Sequence, residues 1–171
     1  DAKDLDYCLK YAINKVSGPC AIRYPRDVVH SEGCYDSIEE CIKPHVLSNE
    51  GKDYAIISSG RLSYECDKAV VELSKMGKKG VHINLSMLKP FSSEDVMALL
   101  SGISTLYIVE EGIKAGSVAS SMETSLYESG FKGEVKILAI ENGIVCAASQ
   151  TRQIVKAGLD CASIVKTISN S

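Results

Sequence analysis

A chain of 171 residues that is 45% hydrophobic and 24% charged has enough apolar material for one compact domain plus at most an appended piece. Its net charge of −3 supplies no basic field for nucleic acid, since Lys78-Lys79 is the sole adjacent basic pair and no aromatic residues interleave with it. No run approaches the roughly 18 apolar residues of a membrane-spanning helix, and the cysteines (Cys8, Cys20, Cys34, Cys41, Cys66, Cys146, Cys161) form no Cys-x-x-Cys pair of the kind that binds zinc.

Leu5, Cys8, Leu9, Ala12, Ile13 and Val16 recur at helical spacing, which predicts a helix over Asp4 to Val16 that Ser17-Gly18-Pro19 stops. Cys20 to Tyr24 reads as a short strand closed by Pro25, and Asp27 to Lys43, without regular periodicity, as a linker. One helix and one strand cannot bury a core alone, so this opening stretch is expected to finish a preceding domain. The acidic start Asp1-Ala2-Lys3-Asp4, without an initiator Met, agrees with a chain cut from something longer.

From His45 onward strand-like and helical runs alternate. Strands are expected at His45–Leu47, Tyr54–Ser58, Gly80–Asn84, Thr105–Val109 and Val135–Ile140. Helices are expected at Leu62–Met76, Ser93–Leu100, Gly116–Glu128, Thr151–Ala157 and Ala162–Ile168, with caps at Ser63, Ser92 or Ser93, Ser149 and Asp160. This alternation implies an α/β fold of three layers, α/β/α, around a mostly parallel five-stranded sheet. Asn49 to Asp53 is too short for a crossover helix and predicts that the first strand forms an antiparallel hairpin with the second at one edge.

In such sheets ligands gather at the carboxyl ends of the strands. Ser58-Ser59-Gly60-Arg61 occupies one end, and its small residues are read as a turn and helix start. Glu110 and Glu111 follow another strand. Their alternation points them to opposite faces, so one is expected at a helix N-terminus, where the dipole favours an acid, with an interface contact as the second reading. The histidines His30, His45 and His82 have no Cys, Asp or Glu at ligand spacing, and no Gly-x-Ser-x-Gly elbow appears, so neither a metal site nor a hydrolase is supported. Cys20 and Cys146 are expected to act as small hydrophobes, and the thiols to be reduced in a cytoplasmic protein. Arg23 and Arg26, separated by Tyr-Pro, could clamp a phosphate, although spacing alone favours exposure or pairing with acids of the first helix.

Gly18-Pro19-Cys20-Ala21-Ile22-Arg23-Tyr24-Pro25-Arg26 resembles the Gly-Pro-x-Ala-Ile-Arg-Tyr-Pro-Arg signature of the 1-deoxy-D-xylulose-5-phosphate synthases, members of the transketolase superfamily. Lys89-Pro90, Val109-Glu110-Glu111-Gly112 and Lys156-Ala157-Gly158-Leu159-Asp160 resemble further segments in the same order. The resemblance implies that residues 1–36 are the tail of a pyrimidine-binding domain plus linker, and 37–171 a transketolase-type C-terminal domain with one antiparallel edge strand. It further implies a homodimeric enzyme that uses thiamine diphosphate and Mg2+ to decarboxylate pyruvate and join the two-carbon unit to glyceraldehyde 3-phosphate, in isoprenoid precursor synthesis. Arg26 then matches the arginine expected at the substrate phosphate, and Arg23 its neighbour. No Gly-Asp-Gly…Asn motif for Mg2+ and diphosphate is present, so this portion is expected to lack catalytic residues, to bind no cofactor alone and to serve structure and dimer contact. Departures include Asp27 after the signature, Asn84 and Ser86 in place of an Asp and an Arg, and Glu141-Asn142-Gly143 in place of Asp-His-Gly. A transketolase subunit or a 2-oxoacid dehydrogenase subunit shares this kind of domain, and Arg-Tyr-Pro-Arg argues against both. A non-catalytic interaction module is the alternative from another class.

Overall fold

The computed structural model describes residues 2–25 and 35–171. Helix α1 (Ala2–Lys15) and the short α2 (Ile38–Cys41) precede an alternating series. That series runs β1 (His45–Asn49), β2 (Tyr54–Ser58), α3 (Leu62–Lys75), β3 (Gly80–Asn84), α4 (Ser93–Leu99), β4 (Thr105–Ile113), α5 (Val118–Glu128), β5 (Glu134–Ile140), α6 (Gln150–Ala157) and α7 (Cys161–Ser169).

The strands form one sheet in the order β1-β3-β2-β4-β5. All pairings are parallel except that of β1 with β3, which is antiparallel. β2 and β3 are buried at every position, as expected of strands covered on both faces. Period-2 alternation sorts their side chains into two cores. Ala55, Ile57, Ile83, Leu106 and Ile108 meet Val96 of α4 and Met122 and Leu126 of α5. Tyr54, Ile56, Tyr107 and Val109 meet Leu62, Cys66 and Leu73 of α3 and Ile164 and Ile168 of α7. Three layers result, as the sequence pattern predicts.

The expected β1–β2 hairpin is not formed, because β3 lies between the two strands. β1 runs antiparallel to both, so its short connection need only bridge two strand spacings, roughly 10 Å. That connection wraps the start of β3: Glu50 N–H donates to Gly80 O at 3.1 Å, Asp53 N–H to Lys79 O at 2.9 Å, and Lys79 N–H to the Asp53 carboxylate at 2.7 Å. The approach is close enough that a Cβ at Gly51 would stand 2.6 Å from the Cβ of Lys79. A short loop between antiparallel strands therefore specified their directions and not their adjacency.

Two further expectations fail locally. Cys20 to Tyr24 pairs with no strand among the described residues and is exposed except at Ile22, since no neighbouring edge supplies ladder partners. Cys20 and Cys146 are exposed rather than packed as small hydrophobes, whereas Cys41 and Cys66 are buried. Cys146 falls in the wholly exposed run 141–149, and Cys20 in the unpaired stretch after α1.

Helix starts follow the capping rules in part. Ser92 accepts from Asp95 N–H, and Ser117, not expected from the sequence, accepts from Ser120 N–H. Ser149 and Asp160 occupy their N-cap positions without a side-chain cap bond. Ser63 is not a cap: α3 begins after Arg61, and the Ser63 hydroxyl turns inward instead.

Candidate functional site

β2 has β3 on one side and β4 on the other, so the chain reverses its direction of winding between β2 and β4. The carboxyl ends of these two strands form the topological switch point, the place where open α/β sheets hold ligands. Ser58-Ser59-Gly60-Arg61 leaves one strand there and Glu110-Glu111 lies near the end of the other.

Alternation along β4 divides the two acids between the faces of the sheet. Glu110 follows Leu106 and Ile108 onto the α5 side, where it is 7% exposed. Its carboxylate accepts the N–H of Ala119, in the first turn of α5, at 2.7 Å. Four N–H groups at a helix start lack intrahelical partners and carry the positive end of the dipole, so a buried carboxylate is well matched there. Glu111 turns to the other face and pairs with Arg61 through two N–H groups of the guanidinium, the Nε contact at 2.6 Å. A forked pair of this kind fixes the start of α3 against the end of β4.

The structure brings Arg23 to the same place. Its guanidinium nitrogen lies 3.9 Å from the Glu110 carboxylate, although the two are far apart in sequence. The acid beside Arg23 is thus on β4, not on the first helix. The Arg23 side chain is 60% exposed, which leaves most of its charge facing solvent. Arg26 lies outside the described residues.

Behind these side chains, Ser58, Ser59, Glu110 and Ala119 line a void of ≈ 10 Å3. That is room for about one water.

On the α3 face lies a polar network that sequence spacing did not reveal. His82 Nδ1 is 2.7 Å from the Asp67 carboxylate, which accepts from it, and His82 Nε2 is 2.7 Å from Ser58 Oγ. Ser58 Oγ is 3.0 Å from Ser63 Oγ; Ser63 donates to Asn84 Oδ1 at 2.5 Å, and the Asn84 amide donates to the Tyr35 hydroxyl at 2.7 Å. Ser86 also reaches Tyr35, at 3.4 Å. The Asp67–His82–Ser58 connectivity is that of a base-activated serine. Burial excludes that chemistry, since Ser58 is 1% and His82 0% exposed, and no acyl group can reach the hydroxyl. The network instead satisfies polar groups between sheet and helix, where an unpaired one would cost roughly 1–3 kcal/mol. Its signal in sequence was the placement of Ser58, His82 and Asn84 at alternate, same-face positions of β2 and β3. The partners on α3 could not be found without the fold.

Asn84 and Ser86 both bond Tyr35, which is fully buried with its ring tilted 60° against that of His45, centroids 4.8 Å apart. The neutral pair therefore serves an internal contact at the end of β3. Burial pushes the neighbouring thiols up: Cys41 rises to about 12, with Cys8 beside it as the second cause, and Cys66 rises further. Among the described residues no group of three His, Cys, Asp or Glu side chains could hold a metal ion.

Comparison with known proteins agrees with this architecture. A solved chain described as "Split gene transketolase, inactive beta4 tetramer" superposes with a TM-score of 0.68 at 20% identity, over 77% of this chain and 42% of that one. Proteins named 1-deoxy-D-xylulose-5-phosphate synthase are similar along nearly the whole sequence. That of Dehalococcoides mccartyi is 28% identical over 98% of this chain and 26% of its own length. That of Gloeobacter violaceus is 27% identical over 100% of this chain and 27% of its own. The chain thus spans about a quarter of the length of these relatives. Residues 45–164 match the family described as "Transketolase, C-terminal domain", and the chain belongs to that family.

Proposed function

We propose that this chain is the C-terminal portion of a thiamine-diphosphate-dependent transferase that condenses pyruvate with glyceraldehyde 3-phosphate to 1-deoxy-D-xylulose 5-phosphate. The observation that carries the reading is similarity to the synthases that reaches beyond the matched family domain into the segment holding Arg-Tyr-Pro-Arg. Residues 1–36 complete the pyrimidine-binding domain and residues 37–171 form the C-terminal domain, in a cytoplasmic homodimer. Arg26 binds the phosphate of the aldehyde substrate. Arg23, held beside Glu110 with most of its guanidinium in solvent, adds positive charge near it.

Among the described residues no three metal-ligating side chains lie together, which supports placing the cofactor outside this chain. Thiamine diphosphate and Mg2+ belong to upstream domains of the same polypeptide. The contribution of this chain is electrostatic and structural.

Calorimetric titration of thiamine diphosphate tests the division of labour. The full-length protein should bind it and form product from the two substrates, and the 171-residue chain should not bind. Absence of binding by the full-length protein would overturn the family reaction, and tight binding by this chain would overturn the assignment to upstream domains. Arg26→Ala in the full-length enzyme should raise KM for glyceraldehyde 3-phosphate at least about tenfold and leave that for pyruvate near normal, as expected for loss of a charge-assisted phosphate contact.

A further inference from the structure

α1 lies against α2 through two contacts. The Tyr7 hydroxyl donates to the carbonyl of Asp36 at 2.9 Å, and the Cys8 and Cys41 sulfurs stand 3.7 Å apart across 33 positions of sequence. Cys41 is fully buried and Cys8 partly exposed. A disulfide has its sulfurs about 2.05 Å apart. The gap to be closed is under 2 Å, within reach of a change in side-chain rotamer and a small shift of α1, which has no buried residue to hold it elsewhere. Other thiols are placed differently. Cys20 and Cys146 are exposed, on segments that pair with no strand among the described residues.

We propose that Cys8 and Cys41 are a reversible oxidation site, a dithiol that hydrogen peroxide converts to a disulfide joining α1 to α2. The asymmetry of burial sets the order of events. Cys8, the accessible partner, attacks the peroxide oxygen as its thiolate. The O–O bond breaks, hydroxide leaves and takes up a proton as water, and Cys8 becomes a sulfenic acid. The Cys41 sulfur then attacks the Cys8 sulfur. The S–O bond breaks, and the departing hydroxide combines with the Cys41 proton as a second water. Two thiols have lost two electrons in all, and one peroxide has been reduced to two waters. A small dithiol reverses the change by thiol–disulfide exchange. Proximity protects Cys8, because capture by Cys41 precedes further oxidation to the irreversible sulfinic acid.

The site lies outside the switch point and does not depend on the proposed reaction. The disulfide would close a loop that holds, in sequence, the whole Arg23–Arg26 segment. Cross-linking a loop of this length removes denatured-state entropy, and the folded chain should melt about 5–10 °C higher when oxidised.

The test is hydrogen peroxide added to the full-length protein, followed by peptide mapping without reductant. The expected result is a Cys8–Cys41 linked peptide lighter by two hydrogens, loss of two titratable thiols, the higher melting temperature, and return of all three by dithiothreitol. Cys8→Ser should abolish the link with unchanged circular dichroism, because its side chain is only partly buried. In Cys41→Ala, Cys8 should proceed to the sulfinic acid. Oxidation that links other cysteines, or that takes Cys8 to sulfinic acid in the unmutated chain, overturns the proposal.

Discussion

Replacing Glu110 by alanine removes one buried carboxylate and leaves two groups behind. The first is the N–H of Ala119, which Glu110 accepts at 2.7 Å in a setting where Ala119 is 1% exposed. An orphaned buried donor costs roughly 1–3 kcal/mol, and loss of an acid at a helix start roughly 0.3–1 kcal/mol, with the two overlapping because they describe one contact. The second is Arg23, at 3.9 Å and 60% exposed, so solvent screens most of its attraction. Its share is at most about 1 kcal/mol. Glu110→Ala should therefore destabilise the chain by about 2–3 kcal/mol, or about 4–12 °C in Tm. Glu110→Gln keeps an acceptor and should cost about 1 kcal/mol, and Arg23→Ala less than that. Urea titration of the three variants, followed by circular dichroism, gives these values from the midpoint at constant slope. A Glu110→Ala midpoint within about 0.5 kcal/mol of the parent would refute the claim that the carboxylate anchors α5.

Two other expectations follow from buried polar groups. The Tyr54 hydroxyl is buried without a hydrogen-bond partner among the described residues, and burial, with Glu50 and Asp53 nearby, pushes its phenol up from 10.0 to about 12. A raised folded pKa means that the folded chain holds the proton more tightly. Stability from this group is therefore complete below about pH 10 and declines toward pH 12; Cys41 adds a decline of the same sign from about pH 9. Tyr54→Phe should be neutral or stabilising by up to about 1 kcal/mol at pH 7, and its denaturation midpoint should fall less between pH 10 and 12 than the parent's. His82→Ala should cost about 2–4 kcal/mol, chiefly through the cavity left at a fully buried position, because Ser58 keeps Ser63 and Asp67 is half exposed. An organophosphonate that labels activated serines should leave Ser58 unmodified in mass spectra, and labelling there would refute the structural reading of that network.

Most of the architecture was legible because the strands announce themselves. Tyr54–Ser58 is a nearly continuous apolar run and Gly80–Asn84 carries Val81 and Ile83 between turn residues, and both form at the expected bounds. What failed was information that resides in pairing. Whether β1 lies beside β2 or beyond β3 depends on which edge is free once β3 is in place, and the loop Glu50–Asp53 fits either arrangement. Cys20–Tyr24 has strand-like composition, yet composition supplies no neighbour to complete a ladder. In the site, the opposite facing of Glu110 and Glu111 follows from local alternation, and the helix-start position of Glu110 from the rule that acids favour it. Their partners Ala119, Arg61 and Arg23 are tertiary facts, as is the link from His82 to Asp67, 15 residues apart.

The loop wrapped around the start of β3 also bears on assembly. β1 contributes its backbone ladder to β3 alone, although its sequence neighbour is β2. The β1 ladder therefore has no partner in the chain until α3 and β3 have followed it, although only four residues separate β1 from β2. That order makes the edge of the sheet the dependent part of the fold: β1 can peel away without disturbing the parallel strands, whereas loss of β3 would leave β1 with no ladder at all.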